Sequence, residues 1–468
     1  MKYDDYDLVL LNRLKGIKSI GLIGRDVSYF SQLINVAYKD AEVKDLTLHD
    51  ISSEIYCDCL IIGDDIINDD MSGRLYGISC DHVYAVSKRT SIDICSNAFI
   101  RNGYEILSAN NVRVNADTDN TYLLFRLKKH DPVLLPDAES LVKRYKEVFV
   151  LCPRAIKTGG PELLHQLVYH INSLGGDAYI TYIPIGDGEI LSHPELEKYV
   201  YGRVRTIDEV RHDGANLLVV PEGWPLEISG TSPIKKMFWW LSVDNFFTAC
   251  NNSGLDPQKK TEEICENYDV IAYQSEYAHK YLLYNGADEG KTVRLSDYLN
   301  DAFIEKADTA LQKEKKDIVI YNPKKGYEYT KKLIEDSDNM EFVPIQNMTT
   351  AQVRDLLETA KVYIDFGNHP GKDRIPREAA ISGCIVITGM KGAAANDKDI
   401  PIDPGYKIDE TDGDTKEALK IIDSCLNDYD KRIDDFREYR DLIRHEKEIF
   451  IEDIKDIFFV NKQGERGR

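Results

Sequence analysis

The sequence predicts an α/β protein built of parallel sheets covered by helices, and three observations lead to it. Short β-rich apolar runs alternate with helical patterns along most of the chain, the pattern of strands joined by crossover helices. The runs fall into three separate series of strands. After Asp412 the strand signal ends, and a heavily charged helical stretch runs from Thr415 to about Phe459, as expected of a terminal helix that packs back across a preceding domain.

The first series begins at Ser19-Ile20-Gly21-Leu22-Ile23-Gly24 and passes through Cys59-Leu60-Ile61-Ile62-Gly63 and His82-Val83-Tyr84-Ala85-Val86. It closes on Val112-Arg113-Val114 and Thr121 to Leu127, two strand patterns around a turn-rich segment and therefore a hairpin. The polar, proline-bearing stretch Lys128 to Asp137 is the natural boundary. A second series runs from Val148-Phe149-Val150-Leu151 through Ala178 to Tyr182, Leu217 to Val220, Lys236 to Trp240 and Val270 to Tyr273. The third comprises Asp317 to Tyr321, Glu341 to Pro344, Val362 to Phe366 and Cys384 to Thr388. A chain of 468 residues is long enough for about three folded units. The expected division is a domain over 1–130, a linker over 131–145, domains over 146–312 and 313–414, terminal helices over 415–459 and a disordered tail over 460–468.

Bulk properties narrow the function. Hydrophobic residues make up 43% of the chain, enough for several cores, yet no apolar run approaches the roughly 20 residues of a membrane-spanning helix. The acidic start, Met1 to Asp7, lacks the layout of a signal peptide. Nine cysteines in no metal-ligand spacing fit reduced thiols and a cytoplasmic location. Cys57-Asp58-Cys59 is the close pair among them, but it sits in an apolar stretch that reads as a buried strand and is assigned no chemistry. A net charge of −21 argues against nucleic acid. The basic tail Asn461 to Arg468 offers a short contact for peripheral association with the inner face of a membrane, against the simpler reading of a solvated end.

The chemistry-bearing segments are loops that follow strands. Thr158-Gly159-Gly160-Pro161-Glu162 leads into a helix, where two glycines permit close approach of a ligand and the free N–H groups favour an anion. His165 flanks that loop. Tyr321-Asn322-Pro323-Lys324-Lys325-Gly326 places two cations and a glycine in a strand-to-helix turn, suited to a diphosphate. The third segment, Phe366 to Cys384, gathers His369, Gly371, Lys372, Asp373 and Arg374 beyond a strand's carboxyl end, where open α/β sheets bind ligands. Glu378 then falls in the first turns of a short helix, where a carboxylate can accept both hydroxyls of a ribose.

These residues resemble a family. The glycine-bearing loop, Asn322-Pro323-Lys324-Lys325-Gly326 and the run from Pro376-Arg377-Glu378-Ala379-Ala380 to Thr388 look like GT-B glycosyltransferases of bacterial surface-polysaccharide assembly, over about residues 146–459. The resemblance implies two Rossmann-like lobes and transfer of a hexosyl or related group from a nucleotide sugar to a glycan or lipid-linked glycan, without a metal. It implies that Glu378 holds ribose, that Lys324 and Lys325 hold the diphosphate, and that Gly159 and Gly160 close over the donor. Many retaining members carry a further glutamate eight positions before the ribose-binding one; here that place is Pro370, with His369, Lys372 and Asp373 available for the sugar. An inverting route needs a general base, and Asp244, Glu222 and His165 are the candidates in that order; each reads equally as structural, Glu222 as a strand end and Asp244 as a helix cap. Trp224, Trp239 and Trp240 are candidate platforms for acceptor sugars, and burial in a core explains them equally well.

The first series resembles a class I methyltransferase that has lost its motif. Ser19 to Leu33 matches the frame of the cofactor loop and His49-Asp50-Ile51-Ser52 the acidic strand end beyond it, but Asp26 and Ser28 replace glycines and Leu22 replaces an acid. Little S-adenosylmethionine binding is therefore expected. The domain is read as a scaffold for docking or homodimerisation, and no cofactor is expected for the chain. A methyltransferase with an accessory half, or a non-catalytic scaffold of a polysaccharide assembly complex, is the competing reading.

Overall fold

A computed structural model of the chain describes residues 17–24, 41–46, 55–63, 78–87, 104–113, 121–129, 141–154, 156, 158–183, 193, 196–200, 203–224, 232–411 and 413–461. Segments Arg25 to Leu33 and His49 to Ser52, where the methyltransferase-like motif falls, lie outside them, as do 131–140 of the expected linker and 462–468 of the tail. The chain divides into two compact units, Met1–Glu139 with Phe149–Val210, and Ser140–Val148 with Arg211–Arg468.

The first unit holds a six-stranded sheet, β1 (Ser19–Ile23), β2 (Glu42–Leu46), β3 (Ile55–Ile62), β4 (Ile78–Ser87), β5 (Tyr104–Arg113) and β6 (Thr121–Lys129), in the order β2-β1-β3-β4-β6-β5. β1 pairs in parallel with β2 and β3, and β3 with β4. β6 runs antiparallel to both β4 and β5, so the expected hairpin is present, with its second strand inserted beside β4. Ile23, Leu60, Ile62, Val83, Ala85 and Phe125 pack into the core of this sheet. The same unit carries β8 (Val148–Pro153) from Phe149 onward, β9 (Ala178–Ile183) and β10 (Val204–Arg205), and helix α1 (Gly159–Ser173), whose apolar residues are buried.

The second unit contains β11 (Leu217–Pro221), β12 (Lys235–Trp240), β13 (Val270–Tyr273) and β14 (Thr292–Arg294), paired in parallel in that order. It also contains a four-stranded parallel sheet of β15 (Lys316–Tyr321), β16 (Glu341–Pro344), β17 (Ala360–Asp365) and β18 (Ile385–Thr388), in the order β16-β15-β17-β18. Helices α2 (Val243–Asn252), α3 (Glu276–Tyr284), α4 (Tyr327–Glu335), α5 (Thr350–Thr359), α6 (Arg374–Ile381), α7 (Lys416–Asn427) and α8 (Arg437–Phe458) belong to this unit. The helical end is not continuous as the sequence suggests. It breaks after Asn427, in the run Asn427-Asp428-Tyr429-Asp430, whose polar side chains compete with helix for backbone groups.

Two of the strands that escape the sequence pattern pair with each other. β7 (Leu141–Lys143), inside the stretch read as a linker, pairs antiparallel with β19 (Phe459–Asn461), which starts at the last residue of the stretch read as helix and takes in the first two residues of the stretch read as a disordered tail. Three residues are too few to show a period. Within the second unit, Asp399 ties the segment after β18 to α3: its carboxylate accepts the backbone N–H groups of Glu276 (2.8 Å) and Tyr277 (2.9 Å), two of the donors that a helix start leaves unpaired. Among the described residues no helix is long and apolar enough to cross a membrane.

Candidate functional site

The order β16-β15-β17-β18 fixes where the second unit can hold a ligand. The chain leaves β15 toward one side of the sheet and β17 toward the other, and the carboxyl ends of two such strands are where open α/β sheets form a ligand crevice. The loops there are Asn322 to Gly326 and Phe366 to Asp373, two of the three segments singled out from sequence. They touch through their backbones. Gly326 stands at a φ of 59°, and a Cβ there would collide with the main chain of Phe366 and Gly367. Both conditions require glycine. Gly326 also opens α4, and Lys324 beside it is exposed.

A line of alternating charge runs across this crevice. Asp365, at the end of β17, accepts hydrogen bonds from Tyr363 Oη (2.8 Å) and the Gly367 N–H (3.1 Å). The fully buried His369 ring turns Nε2 toward Asp365 Oδ1 (3.7 Å) and Nδ1 toward Asp373 Oδ2 (3.0 Å). Lys325 Nζ donates to Asp373 at 2.5 Å. Burial alone would lower the His369 pKa, but the Asp373 hydrogen bond and the charges of Asp365 and Asp373 outweigh it and raise it. Burial would raise Asp373, but His369 and Lys325 hold it below the ordinary carboxylate value. Asp365, His369 and Asp373 offer ligand atoms within 4.8 Å of one another. The ring brings Nδ1 to within 3.0 Å of Asp373, while Nε2 stands 3.7 Å from Asp365, beyond a hydrogen bond.

Lys372 turns away from this line. Its Nζ lies 2.7 Å from Glu446 and 3.5 Å from Asp297. Beside it Arg377, fully buried, donates from Nη1 to Glu446 (2.7 Å) and from Nη2 to Asp297 (2.5 Å) and the Lys372 carbonyl (3.0 Å). Nε reaches the Asp373 carbonyl at 3.2 Å. Burial works against charge on Asp297, but Arg377 and Lys372 hold its pKa below normal. The quartet thus fastens the start of α6 to α8 and to the segment after β14. Glu378 follows Arg377 on α6 and is half-buried, so its carboxylate is not lost in the core; Arg374 opens the same helix.

The loop after β17 also meets the start of α2. The Val243 N–H donates to the Pro370 carbonyl (3.0 Å), and a Cβ on Gly371 would strike the Leu241 carbonyl. Ser242 caps α2 by accepting from the Asn245 N–H at 3.1 Å. Asp244 is therefore not the cap. It is half-buried in the first turn, accepting from Asn368 Nδ2 at 2.7 Å and hydrogen-bonding the Tyr277 hydroxyl. Glu222 follows β11 and is buried; removal from water pushes its carboxyl up to about 8 against weak donation from the Leu241 N–H. Trp239 and Trp240 are 0% exposed. The expectation that they stack on acceptor sugars is overturned: both are core residues of β12, and Trp239 Nε1 donates to the Leu295 carbonyl (3.0 Å). Trp224, half-buried just past Glu222, retains access.

Glu222 has a measurable consequence. A carboxyl raised when folded costs stability as pH climbs, because the unfolded chain releases the proton first. Stability of the second unit should decline between about pH 4.5 and 8, with a slope of at most about 1.4 kcal/mol per pH unit from this group. Glu222→Gln should remove that slope, read as urea midpoints at pH 5 and pH 8. An unchanged difference between the two midpoints would contradict the buried, protonated carboxyl.

In the first unit, Gly159 and Gly160 form the first turn of α1. His165, four residues further into that helix than Pro161, is fully buried. Its Nδ1 lies 2.6 Å from the Pro161 carbonyl and its Nε2 2.7 Å from Tyr182 Oη. Burial lowers its pKa to about 4, so it sits there as a neutral, fully engaged ring.

The structure therefore brings Asp244, Lys324, Lys325, Gly326, His369, Gly371, Asp373 and Glu378 into one connected region of the second unit. Sequence reasoning missed Asn368, Tyr277, Asp297, Arg377 and Glu446. Arg377 adjoins Glu378 and Asn368 adjoins His369 within the segment singled out, so both carried a local signal; Tyr277, Asp297 and Glu446 are joined to it only by the fold. No family model and no curated protein matches the chain. Solved structures similar to it include HepE from Anabaena in complex with UDP-glucose, at 10% identity and a TM-score of 0.47, covering 66% of this chain and 98% of that one. An α,α-trehalose-phosphate synthase (UDP-forming) from Burkholderia xenovorans is 10% identical with a TM-score of 0.44, over 66% of this chain and 100% of that one. Sucrose-phosphate synthase from Thermosynechococcus elongatus is 13% identical with a TM-score of 0.42, over 68% and 96%.

Proposed function

We propose that the chain is a metal-independent glycosyltransferase of the GT-B type, with lobes over 146–312 and 313–414, that moves a sugar from a nucleotide donor onto a carbohydrate acceptor. The observation that carries this reading is the convergence of Lys324, Lys325 and Gly326 with the His369–Asp373 loop at the point where the strand order reverses. Such crevices hold nucleotides at the carboxyl ends of strands. Lys325 leaves Asp373 for the diphosphate, Lys324 joins it, and the N–H groups at the start of α4 face the same anion. Glu378 accepts the ribose hydroxyls.

Asp244 takes the role of general base. Asn368 and Tyr277 hold its carboxylate beside the donor loop. The acceptor hydroxyl gives its proton to Asp244 while its oxygen bonds to the anomeric carbon. The bond from that carbon to the diphosphate breaks, its electron pair leaves with the nucleotide, and the lysines stabilise the departing charge. With Pro370 in place of a second glutamate, this in-line inverting route is the one these residues support. The N-terminal sheet, with its reversed β6, is proposed as a methyltransferase-like scaffold.

Lys324→Ala combined with Lys325→Ala should slow turnover of a labelled nucleotide sugar by about 10²-fold or more, the scale seen when charge-stabilising donors are removed. Affinity for the free nucleoside should change much less. Wild-type turnover in the double variant would remove the diphosphate assignment.

A further inference from the structure

The N-terminal sheet carries a sulfur pair that the spacing Cys57-x-Cys59 conceals. In the register of β3 on β4, Cys57 stands directly opposite Cys80, twenty-three positions away in sequence. Neighbouring strands run about 4.8 Å apart, inside the roughly 4.4–6.8 Å that a disulfide spans between Cα atoms. Cys80 beside it outweighs burial and lowers the Cys57 pKa. Cys57 is 1% exposed, whereas Cys80 is half-buried and touches solvent. Cys59 is a poor competitor, since burial pushes its thiol up to about 12. No disulfide is formed among the described cysteines.

We infer that Cys57 and Cys80 form a thiol-oxidation site that closes to a disulfide when it meets a peroxide. Cys80, the accessible sulfur, attacks the peroxide: an S–O bond forms, the O–O bond breaks, and one water leaves with the thiol proton. Cys57 then attacks the resulting sulfenic sulfur as a thiolate. The S–S bond forms, the S–O bond breaks, and the departing hydroxide takes up the Cys57 proton as a second water. Two thiols and one peroxide give one disulfide and two waters. The product joins two adjacent strands of the first unit and is independent of any transfer reaction in the second.

The test uses the full chain exposed to hydrogen peroxide, unfolded in iodoacetamide, digested without reduction and mapped by mass spectrometry. A Cys57–Cys80 cross-linked peptide should appear, vanish with dithiothreitol, persist in Cys59→Ala and be absent from Cys80→Ala. Should Cys80→Ala fail to fold, the wild-type and Cys59→Ala maps decide alone. Recovery of Cys57 and Cys80 as alkylated thiols, or a link from Cys57 to Cys59, would overturn the assignment.

Discussion

Arg377→Leu is expected to destabilise the second unit by about 3–5 kcal/mol, because it strands the carboxylates of Asp297 and Glu446 in a buried site. The guanidinium makes four contacts there, to two carboxylates and two carbonyls. Lys372 remains nearby, but a single ammonium cannot reproduce that fork, so Arg377→Lys should lose much of the same energy. Urea unfolding followed by a probe of the second unit measures both variants. Changes within 0.5 kcal/mol, the range of ordinary surface substitutions, would mean that the quartet does not hold α6 in place.

Glu378→Ala should leave the fold intact and weaken nucleotide binding. The side chain is half-buried and lies outside the quartet. A carboxylate accepting ribose hydroxyls contributes about 1.5–3 kcal/mol, so the dissociation constant should rise roughly tenfold to more than a hundredfold. The matching deoxyribose nucleotide separates the role from a general charge effect. Wild-type protein should bind it less tightly than the ribonucleotide, and Glu378→Ala should lose that discrimination. Equal loss for both nucleotides would assign the effect to charge and not to hydroxyl recognition.

Much of the fold was legible because buried parallel strands are continuous apolar runs. Leu217–Pro221, Lys316–Tyr321, Ala360–Asp365 and Ile385–Thr388 stand close to where the pattern puts them. The missed strands are short and lie at margins: Glu42–Leu46 closes one edge of the N-terminal sheet, and Val204–Arg205 and Thr292–Arg294 are two and three residues long. Edge strands carry charge and need no apolar period. The site followed the same division. Lys324, Lys325, Gly326 and the His369–Asp373 loop were visible because chemistry-bearing residues cluster at strand ends. The inward turn of Lys372 was not, because its partners Asp297 and Glu446 lie 75 and 74 positions away in opposite directions. Trp239 and Trp240 carry no sequence mark that separates a core tryptophan from a stacking platform, since both are large apolar surfaces in a strand.

Calorimetric titration of the intact protein with uridine, guanosine and thymidine diphosphates tests the proposed nucleotide site most directly. At least one should bind with a stoichiometry of about one, and its heat should collapse when Lys324, Lys325 and Glu378 are all changed to alanine. Silence from every nucleotide, or a titration untouched by the triple change, would contradict it.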